Sequence, residues 1–164
     1  MSATPRDRLL LPTAIVSLLL FVAMVAQSAR LDPSVVCLQF TYDRTAFGTV
    51  LERWQDAGIA RFLDHFWIDF PYLASYGLLG YLVATRTRLF AALAAGRRRF
   101  FTYCLPAAAV ADGLENVGHI YLATRFATAP DWLFPVAGAI ATSKWLLIAA
   151  FCLGAAHAWV RRQR

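Results

Sequence analysis

Four apolar blocks, each about 20 residues or longer, are the feature that most constrains the fold of this chain. Each block is long enough to cross about 30 Å of hydrocarbon at about 1.5 Å per helical residue. The 164 residues are 59% hydrophobic and only 16% charged, whereas about a quarter of the residues in a soluble domain are charged. The sequence therefore predicts an all-α integral membrane protein with a single domain over residues 1–164. We expect a four-transmembrane-helix bundle with spans at about 9–29, 66–85, 100–123 and 132–160.

Basic residues are distributed unevenly between these spans. Ten lie before the first span, between the second and third, and after the last, whereas the other two loops hold five arginines and six acids. The positive-inside rule then places both termini and the second loop in the cytoplasm. Fifteen arginines against one lysine indicate a GC-rich bacterial genome. Together with the four predicted spans, this predicts a multi-pass protein of the bacterial inner membrane. The net charge of +6 indicates contact with anionic membrane lipids rather than with nucleic acid.

The first apolar block has a second interpretation. Arg6 and Arg8, an apolar run and the small residues before Ala29 resemble a secretory signal, so that residues 1–28 could be cleaved. Either outcome leaves the other three spans in the same orientation.

The first outer loop, residues 30–65, is too long and too apolar for a plain connector. Apolar residues recur at helical spacing between Phe47 and Phe66 with a polar opposite face, which predicts an amphipathic interfacial helix at about 45–64. We expect a break near Gly58 and a short extended piece over Val35 to Tyr42. The interfacial helix either packs on the outer ends of the spans or acts as a lid over the site described next.

A polar stripe in the third span is the best indication of a functional site. Asp112, Glu115, Asn116 and His119 lie at positions i, i+3, i+4 and i+7, and so share one helix face. Inserting a charged side chain at the centre of a bilayer costs on the order of 3 kcal/mol, even on the insertion scales that give the lowest values. Such a costly stripe therefore indicates that these residues have a specific role.

Counting residues from the outer ends of the spans identifies partners for this stripe. Asp112 and Lys144 each lie about 18 Å deep at about 1.5 Å per residue, so we expect them to pair. In the second span His65, Asp69, Tyr72 and Tyr76 form another stripe, with Asp69 near the level of His119. The first span offers only small hydroxyls, such as that of Ser17. Together the stripes predict a polar pocket that opens outward and closes near the midplane.

Four explanations of the pocket remain open. It could be a purely structural set of interhelical contacts. It could bind a lipophilic small molecule or act on it by acid/base chemistry, because a carboxylate without a counter-ion is available for proton transfer. In that case Asp112, Glu115 and Lys144 are the catalytic candidates. The ligand-binding candidates are Asn116, His119, Asp69, Tyr72 and Tyr76.

The third explanation is a non-catalytic transport or assembly subunit, whose intramembrane charges relay protons or pair helices with a second copy or another membrane protein. A transporter predicts a polar path that continues to the cytoplasm, and an assembly subunit predicts a polar face that meets another chain. A divalent metal is a further possibility, since carboxylate and imidazole groups one turn apart can bind zinc or iron. Its candidate ligands are His119, Glu115, Asp69 and His65.

The layout of four spans, a long first outer loop with an amphipathic helix and intramembrane acids resembles the emopamil-binding-protein class of membrane proteins. That class includes sterol isomerases and sterol-binding proteins, so the resemblance implies a lipid-like ligand. It is architectural and includes no matching motif, and no residue of this chain takes a role from it.

Overall fold

A computed structural model describes residues 8–163 of the chain. Within this range the structure contains helices and no strand, which confirms an all-α fold. Arg6, Arg164 and the start of the possible signal segment lie outside the described residues. The described residues form five helices, which are α1 Leu10–Ser28, α2 Val35–Gln39, α3 Arg44–Arg86, α4 Ala95–Thr124 and α5 Leu133–Arg162.

The four long helices pack in chain order. α1 lies against α3, α3 against α4 and α4 against α5, whereas the described residues show no extensive contact between α1 and α5. The row of helices is therefore open between its first and last members. We call the end that carries α2 and the 125–132 loop the α2 end, and the opposite end, with the 87–94 loop, the 87–94 end.

Two of the helices are long and apolar enough to cross a membrane, α1 and α5. The four predicted spans are therefore not confirmed as such, although each coincides to within one residue with a helix or with part of one. α3 and α4 have the length but fail on composition, because the charged and amide residues of the two predicted stripes interrupt their apolar sequence. The polar residues that form the candidate site thus also lower the mean hydropathy of α3 and α4.

The structure corrects the predicted boundary between the interfacial helix and the second span. No loop separates them, because α3 runs from Arg44 to Arg86 with one interruption at Gln55, where φ is 52° and ψ is −176°. The break is thus at Gln55 rather than near Gly58. Gly58 instead allows the chain to pack closely beside Trp54, because a Cβ atom at position 58 would lie 2.7 Å from the Trp54 Cβ. The predicted extended piece over Val35 to Tyr42 is also wrong, because α2 occupies most of it.

The first part of α3, residues 44–54, packs as a short arm on the α2 end. Its apolar side chains join one buried cluster with residues of α4, α5 and the segment around α2. Arg44 fastens the arm, because it donates hydrogen bonds to Asp131 at 2.7 Å and to the carbonyl groups of Phe126 and Ala129. The arm therefore packs on the helix ends, as one of the two interpretations of the interfacial helix proposed.

The 87–94 end has an apolar core. Phe90, in the loop, is almost fully buried and stacks on Phe101 of α4 at a centroid distance of 4.5 Å. Phe151 of α5 packs edge-on against Phe90 at 5.7 Å. The loop is thereby held against the bundle by an aromatic side chain.

Candidate functional site

A cavity of about 560 Å³ occupies the opening between α1 and α5. Phe21, Met24 and Val25 of α1 form one apolar wall, and Trp145 and Ile148 of α5 form the facing one. α2 lies over the α2 end of the cavity through Val35, Val36 and Gln39. Trp145 Nε1 donates a hydrogen bond to Gln39 Oε1 at 3.0 Å, which ties α2 to α5. The cavity is therefore apolar at its mouth and covered by α2 rather than by the arm.

Polar side chains from α3, α4 and α5 form the floor of this cavity. Lys144 Nζ lies 2.8 Å from Asp112 Oδ1, the contact expected from their equal depth. Tyr76 donates its hydroxyl to Asp112 Oδ2 at 3.0 Å, and all three side chains line the cavity. Asp69 lines it as well and accepts a hydrogen bond from Asn116 Nδ2 at 2.7 Å. We call Asp69, Tyr76 and Asp112 the cavity-facing group.

Glu115 and His119 lie behind Lys144 and do not line the cavity. Lys144 Nζ is 2.5 Å from Glu115 Oε2, and His119 Nδ1 is 3.3 Å from Glu115 Oε1. Glu115 is 0% exposed and His119 is covered by the arm, with Phe47 at a ring distance of 5.8 Å. Neither Glu115 oxygen has a well-aligned hydrogen bond within residues 8–163, nor has His119 Nε2. We call Glu115 and His119 the enclosed pair.

The cluster contains more carboxyl groups than permanent cations. Asp69, Asp112 and Glu115 are all buried, Lys144 is the one lysine of the sequence, and no arginine is buried among residues 8–163. One buried cation cannot neutralise three carboxylates, and an uncompensated buried charge costs several kcal/mol. Protons, or a ligand bound at the cavity floor, must therefore supply the remaining positive charge.

The structure separates the residues that the sequence assigns to one pocket. Asp69, Tyr72, Tyr76, Asp112, Lys144 and also His65 line the cavity, whereas Glu115, Asn116 and His119 are buried outside its wall. Asp69 accepts its hydrogen bond from Asn116, which lies one turn from His119 on α4.

The sequence analysis missed the contribution of α1 and α2 to the cavity. α1 supplies large apolar side chains to the wall, whereas Ser17, the hydroxyl singled out from the sequence, is buried but has no hydrogen-bond partner in the described residues. Gln39 carried no signal of its own, since it is an ordinary polar residue in a loop sequence. On α5, the position of Trp145 next to Lys144 in the sequence was the one indication that this tryptophan lies at the site.

The four candidate metal ligands do not form one site. His65 Nε2 lies 3.9 Å from Asp69 Oδ2, and His119 lies beside Glu115, which leaves two separate pairs. No group of three or more His, Cys, Asp or Glu side chains in the described part of the chain could hold a metal ion. Glu115 is in addition already engaged by Lys144.

Comparison with known proteins finds no match for this chain among protein-family models, curated proteins or solved structures.

Proposed function

We propose that this chain is a four-span inner-membrane protein that binds a lipophilic or amphiphilic molecule in the cavity between α1 and α5. In this arrangement α1, residues 66–85 of α3, α4 and α5 cross the membrane, and the α2 end faces outward. The ligand enters sideways from the bilayer, since α1 and α5 are not packed together. Its polar end reaches the cavity-facing group and Lys144, and its apolar part lies against α1 and Trp145.

The combination of an apolar mouth with a charged floor is the observation that carries this proposal. A ligand cavity with mostly apolar walls and a few convergent polar groups is the usual form of a small-molecule site. About 560 Å³ also lies within the usual range of about 300–1,000 Å³ for such sites. Purely structural helix contacts would explain buried polar groups but not a cavity beside them.

The excess of carboxyl groups supports acid/base chemistry on the bound molecule as a further step. Asp112 and Asp69 line the cavity, so each could exchange a proton with a ligand atom within hydrogen-bond reach. The competing classes have less support. A transporter needs a polar path past Asp112, yet apolar residues fill the 87–94 end. An assembly subunit needs an exposed polar face, yet the stripe residues of α4 are buried.

Blocking the cavity tests the binding proposal. Val25 lines the cavity, whereas Val22, on the same helix and also about half exposed, does not. Native mass spectrometry of the detergent-purified protein should show a retained lipophilic molecule in the wild type and in Val22→Trp. Val25→Trp should lose it, because the indole occupies the space. Equal retention by the two variants would place the molecule elsewhere and contradict the proposal.

Cysteine labelling tests the four-span arrangement separately. Cys37 and Ala92 are exposed near opposite ends of the bundle. In bacterial spheroplasts a membrane-impermeant maleimide should label Cys37 at once, but label an Ala92→Cys variant with Cys37 replaced by Ser only after the membrane is opened. If α1 and α5 alone crossed the membrane, both positions would lie on one side and react alike.

A further inference from the structure

A second groove lies at the 87–94 end, away from the proposed ligand cavity. It has a volume of about 590 Å³ and runs between the end of α3 and the beginning of α4. Arg98 and Arg99 lie on its α4 side together with Thr102 and Tyr103, and Thr85 and Thr87 lie on its α3 side.

The two arginines in this groove have no anionic partner among residues 8–163, since neither guanidinium group takes part in an ion pair there. The sequence from Asp69 to Asp112, which contains the groove, has no acid between these two residues, and none follows Asp131. Arg44 at the α2 end, in contrast, is paired with Asp131. The groove therefore presents two free guanidinium groups, which bind phosphate oxygens well.

Helix stability does not explain the position of these arginines. Arg97, Arg98 and Arg99 lie in the first turns of α4, whose first turn has neither an acidic residue nor a side-chain cap. Positive charge at a helix N-terminus opposes the helix dipole. The groove is also held in place, since Phe90 anchors the intervening loop on Phe101.

Apolar surface continues from the groove along both helices. Leu78 and Tyr81 on α3 and Tyr103 and Val110 on α4 are all exposed by more than a third. In each pair the residues follow at helical spacing from the groove residues Thr85 and Arg99. A molecule with a phosphate at the arginines therefore has apolar surface on which an acyl chain can lie.

We propose that this groove binds the headgroup phosphate of an anionic phospholipid, with an acyl chain along the exposed faces of α3 and α4. The proposal uses the membrane placement argued above but not the ligand cavity. Arg98 and Arg99 bind the phosphate oxygens, and the hydroxyl groups of Thr85 and Thr102 lie beside them for the rest of the headgroup.

Lipid titration followed by native mass spectrometry tests this site. The wild type should bind phosphatidylglycerol in preference to phosphatidylcholine. The Arg98→Gln/Arg99→Gln variant should lose about tenfold or more in phosphatidylglycerol binding, since each arginine near a membrane surface contributes substantially to anionic-lipid attraction. Arg161→Gln/Arg162→Gln removes the same charge from the end of α5 and should change binding less than about twofold.

Three results would overturn the proposal. Equal losses in the two double variants would mean general charge attraction rather than a site. Equal binding of the two lipids by the wild type would mean that the groove does not select a headgroup with net negative charge. Displacement of the lipid by millimolar inorganic phosphate would mean that the groove takes free phosphate. The Val25→Trp variant should bind phosphatidylglycerol normally, so failure of the cavity proposal remains distinguishable from failure of this one.

The Arg98→Lys/Arg99→Lys variant is a control that distinguishes loss of binding from a folding defect. It keeps the charge but loses the forked guanidinium geometry, so it should retain part of the selectivity. Its thermal unfolding, and that of the glutamine variant, should match the wild type because both arginines are exposed.

Discussion

The cavity-facing group and the enclosed pair each contribute one acid to the same lysine, Lys144. Asp112 lies 2.8 Å and Glu115 2.5 Å from Lys144 Nζ, and the two acids are three residues apart on α4. Yet Asp112 lines the cavity, whereas Glu115 is 0% exposed and lies outside its wall. Two similar acids on one helix face thus have different access to a ligand.

The difference between them follows from which neighbour covers each acid. The opening between α1 and α5 leaves Asp112 facing the cavity, whereas the arm covers His119, which lies beside Glu115. Asp112 can therefore meet a ligand directly. Glu115 can influence a ligand only through the charge and position of Lys144.

Replacing the shared lysine should have the largest effect. Lys144→Met leaves Asp112 and Glu115 without their cation, and removing one partner from a buried charge pair costs about 3–5 kcal/mol. We expect a correspondingly lower free energy of unfolding in detergent, measured by denaturant titration. Ser143→Met, at an exposed position one residue earlier, is the matched control and should change stability by less than about 0.5 kcal/mol.

A triple variant identifies the cause of that loss. Lys144→Met combined with Asp112→Asn and Glu115→Gln removes the stranded charges together with the cation. It should recover part of the stability, since replacing a whole buried ion cluster is often nearly neutral. A triple variant as unstable as Lys144→Met alone would mean that the lysine acts through packing.

Neutralising Asp112 and Glu115 one at a time should have different effects on ligand retention and on stability. From the sequence alone we expect Asp112→Asn and Glu115→Gln both to abolish ligand binding. The structure sharpens this expectation. Asp112→Asn should weaken retention of the lipophilic molecule about tenfold or more, since a hydrogen bond to a charged group contributes about 1.5–3 kcal/mol. Glu115→Gln should lower stability instead and leave retention within about twofold.

Native mass spectrometry and thermal unfolding of both variants measure these two effects side by side. Loss of binding in both variants at unchanged stability would mean that the enclosed pair also reaches the ligand. Unfolding of both without any ligand effect would favour a purely structural role for the whole cluster.

Helical spacing and depth were enough to find the residues of the polar cluster. The stripe on α4 follows directly from i, i+3, i+4 and i+7 spacing, and equal depth correctly paired Asp112 with Lys144. Spacing on one helix could not show which members of the stripe face a cavity. That depends on where α1 and the arm lie, and contacts of α1 with α3 rather than with α5 have no local signature.

The fold shows the same limit. The lengths of the apolar blocks located the four long helices, whereas the sequence did not indicate the break at Gln55, because glutamine has no intrinsic preference for positive φ. Glycine is the residue expected at a position with positive φ, and for this reason the break was predicted near Gly58. Its role is instead to leave space beside Trp54.

The smallest of the expected effects concerns how Asp112 is held. Tyr76→Phe removes the hydroxyl that donates to Asp112 Oδ2 at 3.0 Å, and a typical hydrogen bond contributes about 1 kcal/mol. Tyr72→Phe is the matched control, because Tyr72 also lines the cavity but its hydroxyl has no hydrogen bond to the described residues. We expect thermal unfolding to shift downward for Tyr76→Phe and to stay unchanged for Tyr72→Phe. Equal shifts would mean that Tyr76 stabilises the bundle through its ring, and that Lys144 alone orients Asp112 towards the cavity.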